Sequence, residues 1–137
     1  MNWVAYSLAT VVLWAFWGLL GKVALRTVGW VQASLFFGVA SVAIYGVILA
    51  VRTREATWSP SDLLVPLATG FVGALGLATF YIALERGKAS VVVPIVGLYP
   101  VMTVVLSVVL LHERLAPLQI VGVALAVAAV VLIAAGG

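Results

Sequence analysis

No charged residue interrupts the chain between Trp3 and Gly21, and the same pattern recurs in Trp30–Val51, Leu63–Leu84 and Ala89–Leu111, and from Leu118 to about residue 135. A membrane-spanning helix needs roughly 20 predominantly apolar residues. All five runs meet or approach that length, the last being shortest. Transmembrane strands alternate apolar and polar residues over about 10 positions; these runs are continuously apolar, so strands are not expected. Across 137 residues, 66% are hydrophobic and 8% charged. A soluble domain carries roughly 25% charged residues, and this chain has too few to coat a water-facing surface. A disordered chain needs low hydrophobicity and high charge. The expected fold is all-α: one polytopic membrane domain over residues 1–137, a bundle of five transmembrane helices joined by short connections.

The cations stand at or near the ends of the runs: Lys22 and Arg26 after the first, Arg52 and Arg54 after the second, Arg86 and Lys88 around the third junction, Arg114 before the last. This dispersion excludes a nucleic-acid patch. There is no cysteine, so disulfides and thiolate chemistry are absent. His112 stands alone and cannot build a metal site. No acid/base pair lies within a span, which makes an enzyme the weakest reading, and no cofactor is expected. The first run has no basic residue before it, so a retained span is expected rather than a cleaved signal peptide. Ser59-Pro60-Ser61-Asp62 reads as a turn and helix cap, and Pro117 suits a first helical turn.

Five spans put the termini on opposite sides of the bilayer. Arg52, Arg54 and Arg114 then face one side, and Lys22, Arg26, Arg86 and Lys88 the other. Three against four does not fix orientation. Charge alone leans slightly towards a single topology with a noisy count. Symmetry favours dual insertion: an odd-numbered unit joined to a second copy is inverted, and transporters are often built from inverted repeats meeting at the midplane. Two free copies reach that arrangement as an antiparallel homodimer.

Polar and aromatic residues form stripes at helical spacing. Ser7, Thr10, Trp14, Trp17 and Gly21 mark the first helix, Ser34, Gly38, Ser41 and Tyr45 the second, and Tyr99, Thr103 and Ser107 the fourth. Facing a common centre, they would line a narrow, weakly polar route. The competing reading has each hydroxyl bonding its own helix and each ring anchoring at the interface. That interfacial reading is favoured outright for Trp3, Trp30 and Trp58. Pro94 and Pro100 mark a kink or hinge, since Pro100 leaves the Val96 carbonyl without its helical donor. Lys22 reads as a snorkelling side chain, or as a charge at the mouth of a cavity. Gly70, Gly73, Ala74 and Ala78 in the third helix, and Gly122 and Ala126 in the fifth, are small-residue packing surfaces. None of the four acids lies in the centre of a span, so proton-coupled export of cationic drugs through an embedded carboxylate is disfavoured.

Tyr81-Ile82-Ala83-Leu84-Glu85-Arg86-Gly87-Lys88-Ala89-Ser90, followed by Pro94 and Leu98-Tyr99-Pro100, resembles the EamA domain of the drug/metabolite transporter superfamily. His112-Glu113-Arg114-Leu115 with Gln119-Ile120-Val121-Gly122, and Leu13-Trp14-Ala15-Phe16-Trp17-Gly18 with Lys22, are similar to other parts of it. The likeness covers nearly the whole chain. The family often has Gly where His112 stands, and a Pro or another small or polar residue where Lys88 stands. The resemblance implies the half-unit of an inverted-repeat transporter in the cytoplasmic (inner) membrane of a prokaryote. It implies a secondary transporter of small metabolites, with export the expected direction, acting as a homodimer or with a similar half-unit. The first, third and fourth helices would form the route, lined by Trp14, Trp17, Tyr81, Tyr99, Thr103 and Ser107. The alternative is a non-transporting partner subunit that modulates another membrane protein.

Overall fold

The computed structural model describes residues 3–52, 59 and 62–136. Among these the chain is all-helical: α1 (Trp3–Ala24), α2 (Trp30–Arg52), α3 (Leu64–Arg86), α4 (Ala89–Val96), α5 (Tyr99–Leu110) and α6 (Pro117–Ala135). Five segments are long and apolar enough to cross a membrane, with α4 and α5 together forming the fourth. Arg54, Glu55, Trp58, Pro60 and Ser61 lie outside the described residues. The chain divides into two compact units, Met1–Arg86 and Gly87–Gly137.

In the first unit α3 packs against both α1 and α2. The buried residues are Gly18 and Gly21 of α1, Ala33 of α2, and Phe80, Tyr81 and Leu84 of α3. All lie where α1 ends, α2 begins and α3 ends, so one end of this unit is packed. At the other end Trp3, Val51, Leu64 and Val65 are at least 74% exposed. Lipid accepts such apolar surface as readily as a protein neighbour does, so each helix there is stable without a partner. Gly21 lets the Tyr81 ring lie close at the packed end: a Cβ built on it would lie 3.2 Å from Tyr81 Cε1. α1 extends past Gly21 and carries Lys22 within the helix, where the sequence places the end of the span.

In the second unit α6 packs against α4 and α5. The fourth span is broken at Gly97-Leu98, between the Val96 carbonyl and Pro100, the residue that cannot donate to it. Pro100 thereby falls in the first turn of α5, where a missing N–H is tolerated. Gly97 donates to the Val93 carbonyl at 2.8 Å, and Leu98 to that of Ile95 at 3.1 Å, tightening the last turn of α4. A Cβ on Gly97 would meet the Pro94 and Val93 carbonyl oxygens at 3.1 and 3.2 Å. Beyond α5 and its cap Leu111 stands His112, whose φ of 55° is left-handed. The following N–H, of Glu113, turns back to the Ser107 carbonyl at 3.3 Å. The position therefore favours glycine. α6 opens with Pro117, and the Gln119 side chain accepts from the Ala116 N–H at 2.8 Å.

Candidate functional site

In the first unit four aromatic rings gather at the packed end. Trp17 stacks on Phe80 with centroids 5.0 Å apart at 24°. It also tilts against Phe37 at 6.0 Å and Tyr81 at 6.2 Å. Of the expected route residues, Trp17 and Tyr81 are thus brought together. Trp14 lies one turn earlier on α1 and is 53% exposed. The indole N–H of Trp17 is shielded, and it makes no hydrogen bond of good geometry although the Tyr81 hydroxyl is its near neighbour. A buried indole N–H ordinarily has a partner. Beside this cluster a recess of about 220 Å³ is lined by α1, α2 and α3 side chains, among them Trp17, Gly21, Ala33, Phe36, Phe37 and Tyr81.

Lys22 donates its ammonium to the Leu84 carbonyl at 2.6 Å. Leu84 is in the last turn of α3, where carbonyls lack intrahelical donors and carry the negative end of the helix dipole. The cation therefore caps one helix from another, and it is not among the residues lining the recess.

In the second unit Tyr99, Thr103 and Ser107 lie along α5. Tyr99 is 50% exposed, Thr103 is exposed and Ser107 half-buried. The Thr103 hydroxyl donates to the Tyr99 carbonyl at 3.1 Å, and that of Ser107 to Val104 at 3.0 Å. Ser7, Thr10, Ser34 and Ser41 likewise bond carbonyls of their own helices. Each hydroxyl oxygen keeps acceptor capacity, so backbone bonding leaves it able to receive a donor. A separate groove of about 350 Å³ runs between α5 and α6, lined by Pro100, Val101, Val104, Gln119, Gly122 and Ala126 among others. The α5 stripe does not line it.

The small-residue surfaces differ from one another. Built Cβ atoms on Gly70, Gly73, Gly76 and Gly122 find no other atom within 4 Å. Gly70, Gly73 and Ala74 are exposed, and Ala78 is half-buried. Sequence reasoning overlooked Phe37, Phe80 and Leu84, the last fully buried. α3 is apolar on every side, so no periodic contrast singled out its packed face. The pairing of Phe80 and Tyr81 with Leu84 one turn on was the available signal.

Five segments long and apolar enough to cross a membrane mark an integral, multi-pass membrane protein. The chain belongs to the EamA-like transporter family, whose model matches residues 1–135. A relative, an uncharacterized protein of Methanocaldococcus jannaschii, is 39% identical over 59 residues. That stretch is 43% of this chain and 43% of the relative, so the match spans under half of each. No solved structure matches.

Proposed function

We propose that the chain is one half of a secondary transporter, assembling as a homodimer of inverted copies in the cytoplasmic membrane and exporting a small metabolite. Trp14, Trp17, Tyr81, Tyr99, Thr103 and Ser107 line the route. The broken helix between Pro94 and Pro100 is the hinge. Lys22 fixes the end of α3 at the mouth of the route, and the small-residue faces of α3 and α6 seat neighbouring helices.

The observation that carries this reading is how little the chain encloses. None of the apolar heart of the second, fourth and fifth spans is buried, and the α3 glycines touch nothing. Gly70, Gly73 and Gly76 weaken a helix interior, a cost that makes sense where another backbone comes close. Family membership supplies the transport function. The nearly balanced loop charges leave both orientations open, and the symmetry of an odd-numbered unit favours inserting both ways.

The test is flux in reconstituted vesicles. Radiolabelled amino acids and nucleobases are offered with and without a proton gradient. A substrate is expected whose flux falls at least tenfold in Trp14→Ala and Thr103→Val. Unchanged flux in both variants places the route elsewhere.

A further inference from the structure

The aromatic recess of the first unit has a chemistry of its own. Its walls are rings from three helices, Trp17, Phe36, Phe37 and Tyr81, and its floor is made by Gly21 and Ala33. No lining residue carries a charge. Lys22, next to Gly21 in sequence, has its ammonium on the Leu84 carbonyl. The polar side-chain groups among the lining residues are the Trp17 indole and the Tyr81 hydroxyl. The indole N–H is shielded and unbonded. At about 220 Å³ the recess is smaller than the roughly 300 Å³ at which pockets for drug-sized ligands begin.

We infer that this recess binds an uncharged, flat solute of single-ring size carrying one hydrogen-bond acceptor. The ring stacks among the aromatic walls. The acceptor takes the Trp17 N–H, with the Tyr81 edge yielding to admit it. An ion entering the same space loses hydration and meets no countercharge, so carboxylate and ammonium analogues are rejected. A hydrocarbon of the same shape leaves the donor unpaired and binds less well. Leu20 and Phe36 at the rim are 63% and 68% exposed, so the solute enters sideways from the lipid. This inference rests on the reading of Trp17 and Tyr81 as route residues, and it adds the class of solute.

The test uses the full chain in lipid nanodiscs, with empty discs as the partition control. Benzamide, toluene, benzoate and benzylamine are compared by equilibrium binding. Saturable benzamide binding is expected, with benzoate and benzylamine at least tenfold weaker. Ala33→Leu fills the floor and abolishes saturation. Trp17→Phe keeps an aromatic wall but removes the donor, lowering benzamide affinity about tenfold and leaving toluene unchanged. No saturable binding of benzamide, equal binding of benzoate, or undiminished binding in both variants overturns the inference. A transported solute whose flux depends on Trp17 and Tyr81, without benzamide binding, sinks the inference and leaves the transport reading standing. Benzamide binding without flux of any solute does the reverse.

Discussion

Lys22 and Leu84 join two transmembrane helices through one charge-assisted bond, an ammonium on a helix-terminal carbonyl at 2.6 Å. Hydrogen bonds between membrane helices average about 0.6 kcal/mol and reach about 1.7. Bonds to charged groups stand at the upper end of the usual range. Lys22→Met is therefore expected to lower stability by about 1–1.5 kcal/mol. Lys22→Arg retains a donor and loses less. Unfolding in mixed micelles measures both; equal losses would show that the bond contributes nothing.

Gly21 and the α3 glycines differ in what surrounds them. At Gly21 a Cβ meets the Tyr81 ring at 3.2 Å, so Gly21→Ala is nearly neutral, helix propensity offsetting a small shift of the ring. Gly21→Leu overpacks the contact and destabilises by about 1–3 kcal/mol. Gly73 has no neighbour within 4 Å, so Gly73→Leu leaves the fold of one chain intact and weakens assembly of two. Unfolding and crosslinking yields from the same preparations separate these outcomes.

His112 holds a left-handed conformation that costs a non-glycine residue about 1 kcal/mol or more. His112→Gly is expected to raise thermal stability by up to about 1 kcal/mol, and His112→Val to lower it by about 1–2 kcal/mol. Thermal shift assays in detergent give the order Gly above His above Val; any other order removes the conformational explanation.

Gly97 sits where a Cβ would press on two backbone carbonyl oxygens, which cannot turn aside as a side chain can. Gly97→Ala is expected to destabilise by about 1–2 kcal/mol. Pro100→Ala restores the missing donor and straightens the span, so it stabilises the protein while slowing flux. Faster or unchanged flux in Pro100→Ala would argue against a hinge.

Much of this molecule was legible in the sequence, for one reason. Lipid admits long uncharged helices and little else, so five apolar runs announce five spans. The proline pair located the broken helix, although the break falls at Gly97-Leu98, on the amino side of Pro100, because the clash is with the carbonyl four residues back. The end of α1 was harder to see. A lysine after an apolar run looks like a boundary, but Lys is a good helix former; α1 runs on to Ala24, and the Lys22 ammonium bonds the Leu84 carbonyl of α3. Trp17 stood out by its place in a polar and aromatic stripe, and Tyr81 by opening the family-like run. Phe37, Phe80 and Leu84 did not, since in lipid both faces of a helix are apolar and hydrophobicity no longer marks the core.

The inverted arrangement is checked by reporters fused to the C-terminus. Both orientations are expected in every cell, because three cations oppose four. Moving Arg52 or Arg54 to the other side is expected to drive the population to one orientation. A single orientation from the outset rules out inverted copies.

The central claim is that one chain is half of the machine. Fluorescently labelled protein is reconstituted at decreasing protein-to-lipid ratios, and photobleaching steps are counted in the same vesicles in which flux of the identified substrate is followed. Vesicles holding two copies are expected to transport and those holding one to be silent. Flux from vesicles with a single copy contradicts the half-unit.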